Sequence, residues 1–165
     1  ALPFADGEFD VVTSSAGVIF APDHQAAADE LVRVCRPGGT IGLLTFTPEG
    51  SAGEFFELFG RYAPPVDQPP ILWGVESHVR ELFGNRLSLR ITRDTYVERT
   101  PGGPEGMVDF YKTTFGPIVA TYARLDDAAR AELDRAFVEF ISRGDRGAAD
   151  AEVPVEYLLV VGRKR

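Results

Sequence analysis

Ala1-Leu2-Pro3-Phe4-Ala5-Asp6-Gly7-Glu8-Phe9-Asp10-Val11-Val12-Thr13-Ser14 and, one helix later, Arg33-Val34-Cys35-Arg36-Pro37-Gly38-Gly39 are the stretches on which the fold turns. Phe9 to Ser14 is a short apolar, β-branched run bounded by Asp6-Gly7 before it and Ser15-Ala16-Gly17 after it, which reads as a buried strand. From about Gln25, Ala28, Leu31, Val32 and Cys35 fall at helical spacing on one face. That helix is expected to stop at Arg36, because Pro37 cannot continue it and Pro-Gly suits the middle of a type II turn. Thr40 to Phe46 is a second apolar run without strict alternation, as a parallel strand covered on both faces requires. Strand, helix and strand joined by a tight Pro-Gly-Gly return make a βαβ unit.

Outward from this unit the periodicity continues. A helix is expected near Ala52 to Tyr62, with Phe55, Leu58, Phe59 and Tyr62 on one stripe. Residues 63–70 read as a proline-broken loop, Val75 to Phe83 as a helix stopped by Gly84, and Leu87 to Glu98 as a strand. Pro101-Gly-Gly-Pro104 breaks the chain clearly. Two helical stretches follow, Glu105 to Arg124 with a kink at Gly116-Pro117, and Asp126 to Ser142, before a last buried strand over Val155 to Val161.

With 165 residues, 44% hydrophobic and 25% charged, the chain suits one domain with a substantial core. A net charge of −8 argues against nucleic acid or an anionic membrane as partner, since both need a basic face. One cysteine cannot close an internal disulfide, and two histidines supply no Cys/His metal set. No apolar run approaches the ~20 residues of a membrane span and no signal peptide is legible, so a cytoplasmic protein is expected.

The pattern "LPF-x-D-G-x-FD-V-V" followed by "R-V-x-R-P-G-G" resembles the middle of a class I S-adenosylmethionine-dependent methyltransferase of the type 11 kind, where the two stretches lead into the fourth and fifth strands. The resemblance is strongest over Ala1 to Gly50 and again at the last strand. It implies an α/β, doubly wound Rossmann-like sheet, of which this chain carries strands four to seven, the last antiparallel, with a helical insertion over residues 102–152. It further implies that the glycine-rich cofactor loop lies upstream of Ala1. The chain is then a C-terminal portion, expected to bind S-adenosylmethionine weakly or not at all by itself. Strand 9–14 would lack a neighbour, and self-association through it is expected.

Site residues follow from the same resemblance. Ala1 and Leu2 are placed against the adenine, and Ser14 and Ser15, leaving the carboxyl end of a strand, beside the methionine part of the cofactor. Phe46 and Trp73 are the expected contacts to a small-molecule acceptor, the insertion and residues 51–74 capping it. Phe4 reads better as a plug at the sheet's end. The functional expectation is methyl transfer, for which donor and acceptor need alignment rather than a triad, so no catalytic residue is assigned.

Other residues have plainer readings. Asp23 is the expected N-cap, with His24 a solvated first-turn residue and His78 on a surface helix. Cys35, on the apolar stripe, is expected to be buried and inert. Phe110, Tyr111, Phe115 and Tyr122, at helical spacing, are expected to pack first. Two rival functions are a truncated α/β domain acting through protein contacts and a nicotinamide-dependent reductase. Against the latter, none of Tyr62, Tyr96, Tyr111, Tyr122 and Tyr157 has a lysine four residues on.

Overall fold

Asp6-Gly7 turns the chain into the first strand, β1 (Phe9–Ser15), and the Gly7 N–H fixes that turn by donating to the Arg33 carbonyl at 2.8 Å. The structure is a computed structural model and describes residues 1–144 and 150–165. After β1 come α1 (His24–Val34), β2 (Cys35–Phe46), α2 (Ser51–Gly60), α3 (Glu76–Phe83), β3 (Leu87–Pro101), α4 (Gly103–Thr114), α5 (Gly116–Tyr122), α6 (Asp127–Gly144) and β4 (Asp150–Lys164). The strands form one sheet in the order β1-β2-β4-β3. β1 and β2 are parallel, with Val11 opposite Thr40 and Ser14 opposite Leu43, and β4 runs antiparallel to β2 from Thr40–Arg163 to Phe46–Tyr157. The expected α/β class and the antiparallel closing strand are both present.

Two compact units divide these elements: residues 1–52, 66–94 and 156–165 form one, and residues 53–65 and 95–155 the other. In the first, α1 turns Ala28, Leu31 and Val32 inward while β2 alternates Ile41 and Leu43 into the same core with Val79, Leu82 and Phe83 of α3. In the second, aromatic side chains fill the interior. Phe55 lies 4.8 Å from Phe59 and 5.6 Å from Tyr111, ring centre to ring centre, and Phe59 meets Phe137 edge-on at 5.0 Å. The insertion expected over 102–152 includes residues 145–149, which lie outside the described residues.

The boundary between α1 and β2 differs from the expectation. α1 ends at Val34, and Cys35 is the first residue of β2, extended and opposite Phe9. Pairing across the sheet therefore captures Cys35 before the turn, and the register slips between Phe9 and Val11 to absorb the extra residues. Gly38, at φ +70°, supplies the positive angle that the third position of a type II turn needs. Cys35 is buried, as expected, and burial pushes its thiol pKa up, which keeps it protonated and unreactive.

The expected kink at Gly116-Pro117 is a full break, with Phe115 extended between α4 and α5. β3 runs on to Pro101 and β4 starts at Asp150, both longer than their apolar cores. Among the described residues, no helix is long and apolar enough to cross a membrane.

Candidate functional site

Along β1 lies an open groove of about 660 Å³ between the strand and α1. Its walls are apolar: Val11 and Val12 from the strand, Val18 after it, and Ala26, Ala27 and Leu31 from the helix. Ala1, Leu2 and Phe4 close one end and Ser14 lies at the other. Three of the four expected cofactor residues, Ala1, Leu2 and Ser14, thus line one concavity. Ser15, exposed and opposite Leu44 on β2, does not line it.

Glu30 and Arg33 hold the strap of residues 1–6 in place. Glu30 accepts the Leu2 N–H at 2.5 Å, and the Arg33 guanidinium donates to the carbonyls of Leu2 and Phe4 at 3.2 and 2.8 Å and to Asp6 at 2.8 Å. Arg33 also clamps Glu30 through two nitrogens, at 2.7 and 2.9 Å. The Arg33 bonds, with the Leu2 amide next in weight, hold the Glu30 carboxyl down at about 2. The Leu2 amide is thus engaged by Glu30, while the Leu2 side chain is 39% exposed.

At the carboxyl end of β1 the Ser14 hydroxyl accepts the Val18 N–H at 2.8 Å, which leaves the hydroxyl proton free to be donated. Ala16, two residues on, is the only non-glycine among the described residues at positive φ, +53°. Such a conformation costs about 1 kcal/mol or more and is held here by the Ala16 N–H on the Leu44 carbonyl at 3.0 Å.

Phe46 is half-buried at the carboxyl end of β2. Trp73 is fully buried, packed between His24 (5.4 Å between ring centres) and Phe83 (6.3 Å), so it offers no surface to an acceptor in this structure. Gly74 next to it backs onto the Phe46 carbonyl so closely that a Cβ would overlap it. The two expected acceptor residues are linked through that contact, with Phe46 the one that reaches solvent.

Asp23 caps α1 as expected, accepting the Ala26 N–H at 2.9 Å. His24 overturns its expectation: it is completely buried, and its Nδ1 lies 3.0 Å from Nε2 of His78, which is half-buried rather than a surface residue. Burial, then the neighbouring His78, lowers the His24 pKa despite the opposing charge of Asp23. Phe110 likewise departs from the packed role expected of it, at 48% exposed, whereas Tyr122 is buried with its hydroxyl donating to Asp134 at 2.8 Å.

A family profile described as "Methyltransferase domain" matches residues 1–43, the stretch that builds β1, α1 and most of β2. A solved structure from Bacillus halodurans, provisionally assigned as a methyltransferase, superposes with a TM-score of 0.56 at 15% identity, over 99% of this chain and 73% of that one. The chain carries a class I methyltransferase-like fold. An uncharacterized protein of Mycobacterium tuberculosis is 45% identical over 171 residues, spanning all of this chain, which covers about three fifths (61%) of that protein's length. A demethylmenaquinone methyltransferase of Mycolicibacterium vanbaalenii is 50% identical over 46 residues, 28% of this chain and 20% of that enzyme.

The groove runs along β1 from Phe9 to Ser14, and only Ser14 stands near the carboxyl end, where open α/β sheets hold ligands. Sequence reasoning missed Glu30, although its i,i+3 spacing from Arg33 was a usable signal. It also missed the His24–His78 contact, which joins residues 54 apart and has no local signature.

Proposed function

We propose that the chain is the C-terminal portion of an S-adenosylmethionine-dependent methyltransferase acting on a small molecule. Its share of the cofactor site would be the groove along β1. The observation that carries this reading is the convergence of Ala1, Leu2 and Ser14 on one apolar concavity beside a strained strand end. The profile match over residues 1–43 supports it, because those residues build the groove and the strand behind it.

The residues fit an adenosyl group. The Leu2 side chain and the apolar wall of Val18, Ala26, Ala27 and Leu31 suit a flat purine, and Ser14 retains one hydroxyl proton for a polar atom. Ser15 contributes through its backbone. Bound S-adenosylmethionine supplies a methyl group already activated on sulfonium, and the chain's own residues orient partners and exclude water. Phe46 contacts the acceptor, and Trp73 holds Phe46 in place through Gly74.

Calorimetric titration of the chain tests this. S-adenosylhomocysteine binds more weakly than the low-micromolar range of about −8 kcal/mol, and NADH gives no heat. Tighter binding of NADH would overturn the cofactor class. Low-micromolar S-adenosylhomocysteine would overturn the portion reading, because the groove would then suffice alone.

A further inference from the structure

Five carboxylates among the described residues are half-buried: Glu30, Glu98, Asp134, Glu152 and Glu156. Four of them face a cation. Glu30 meets Arg33 at 2.7 Å, Asp134 meets Lys112 at 2.8 Å, Glu152 meets Arg99 at 2.7 Å and Glu156 meets Arg93 at 2.8 Å. This is what electrostatics requires, since a charge drawn partly out of water is costly unless opposed. Glu98 is the exception. No Lys, Arg or His among the described residues lies within ion-pair distance of it, and Arg99, next along β3, is committed to Glu152.

What Glu98 has instead is a phenol. The Tyr111 hydroxyl lies 2.9 and 2.8 Å from its two oxygens. One proton shared between two oxygens leaves most of the carboxylate's lone pairs open. Burial first, then the charge of Glu98, holds the Tyr111 pKa far above the ordinary range, so the phenol stays a donor at neutral pH. Tyr96, two residues before Glu98 and so on the same face of β3, is pushed up to about 12 by burial and by the same charge. The Tyr111 ring is itself fixed by Phe55, Phe115 and Phe137 at 5.6 to 5.8 Å. Tyr96 is 39% exposed, so this end of the cluster is reached from solvent.

We infer that Glu98, its oxygens aligned by Tyr111 and its flank formed by Tyr96, is a binding site for an organic ammonium ion. A carboxylate supplies the opposite charge, and aromatic faces attract a cation whose alkyl part they also cover. A metal ion is a poorer fit, because hard cations want several oxygen ligands and no group of three or more His, Cys, Asp or Glu among the described residues is arranged to hold one. Tyr111 is a positioning residue here, acting through Glu98.

The test is an NMR titration of the chain with n-butylammonium, using n-butanol as the neutral isostere. Butylammonium shifts the amide signals of Glu98 and Tyr96, butanol does not, and added salt weakens the effect. Glu98→Gln, which can still accept from Tyr111, weakens binding about tenfold, the scale of one charge-assisted contact; Glu105→Gln leaves it unchanged. Tyr111→Phe weakens it by less and flattens the dependence on salt only slightly. Should Glu98→Gln fail to fold, the ammonium-against-alcohol contrast on the unaltered chain decides. Equal response to butanol, absence of response to butylammonium, or unchanged affinity in a folded Glu98→Gln would overturn the site. The inference stands apart from the cofactor reading: nucleoside binding and ammonium binding are separate readouts, and either can fail alone.

Discussion

Asp23 and His24 are adjacent, yet only the first could be understood from its neighbours. The cap is a local matter, a carboxylate three residues before a free N–H, and the sequence states it. His24 is buried by Trp73 and His78, which arrive from residues 49 and 54 positions on, and no local pattern announces that. Its Nε2 has no partner among the described residues, and a buried unpaired polar atom costs about 1–3 kcal/mol. The lowered pKa of His24 has a definite sign. Above pH 6.5 the unfolded and folded forms are both neutral, and stability is at its fullest. As pH falls through 6.5 the unfolded chain takes up a proton that the folded one resists, so stability declines. Thermal unfolding between pH 7.5 and about 5 should therefore show a falling midpoint, and His24→Asn, which removes the titrating ring, should flatten that slope. An equal slope in the variant would mean that other groups carry it.

At the scale of elements, α1, α3 and β2 follow the hydrophobic pattern because each turns one face to a core. β1 departs from its expectation as a buried strand: none of its residues is buried, and Val11 is 59% exposed. The α1–β2 boundary was not legible in the same way. Cys35 fits the helical stripe by spacing, and only its pairing with Phe9 across the sheet makes it a strand residue. The strap of residues 1–6 is likewise fixed by tertiary bonds, from Glu30 and Arg33. Glu30 is depressed from 4.5 to about 2, so its contribution is present above the unfolded value of 4.5 and is lost as pH falls toward about 2. Glu30→Gln should remove that part of the acid dependence and raise exchange at the Leu2 amide even at neutral pH. Unchanged exchange there would show that Arg33 alone secures the strap.

Over the whole molecule, the sheet order β1-β2-β4-β3 is the feature that relates sequence to function. The residues of the Pro-Gly-Gly return carried the α/β class and the family resemblance implied the antiparallel closure, whereas the order of strands depends on contacts more than 100 residues apart, such as Thr47 with Glu156. β1 stands at one end of that order, with Val11 59% exposed. An apolar terminal strand invites pairing with another chain. Light scattering after size exclusion should find association that grows with concentration, with the Val11 and Val12 amides exchanging quickly in dilute solution; a monomer with both amides protected would contradict this. On the proposed function, the groove along β1 holds the nucleoside of the cofactor. Amide mapping by NMR during titration with S-adenosylhomocysteine tests it most directly. Weak, saturable shifts concentrated at Leu2, Ser14 and Ser15 are expected, and shifts centred on other residues would contradict the placement.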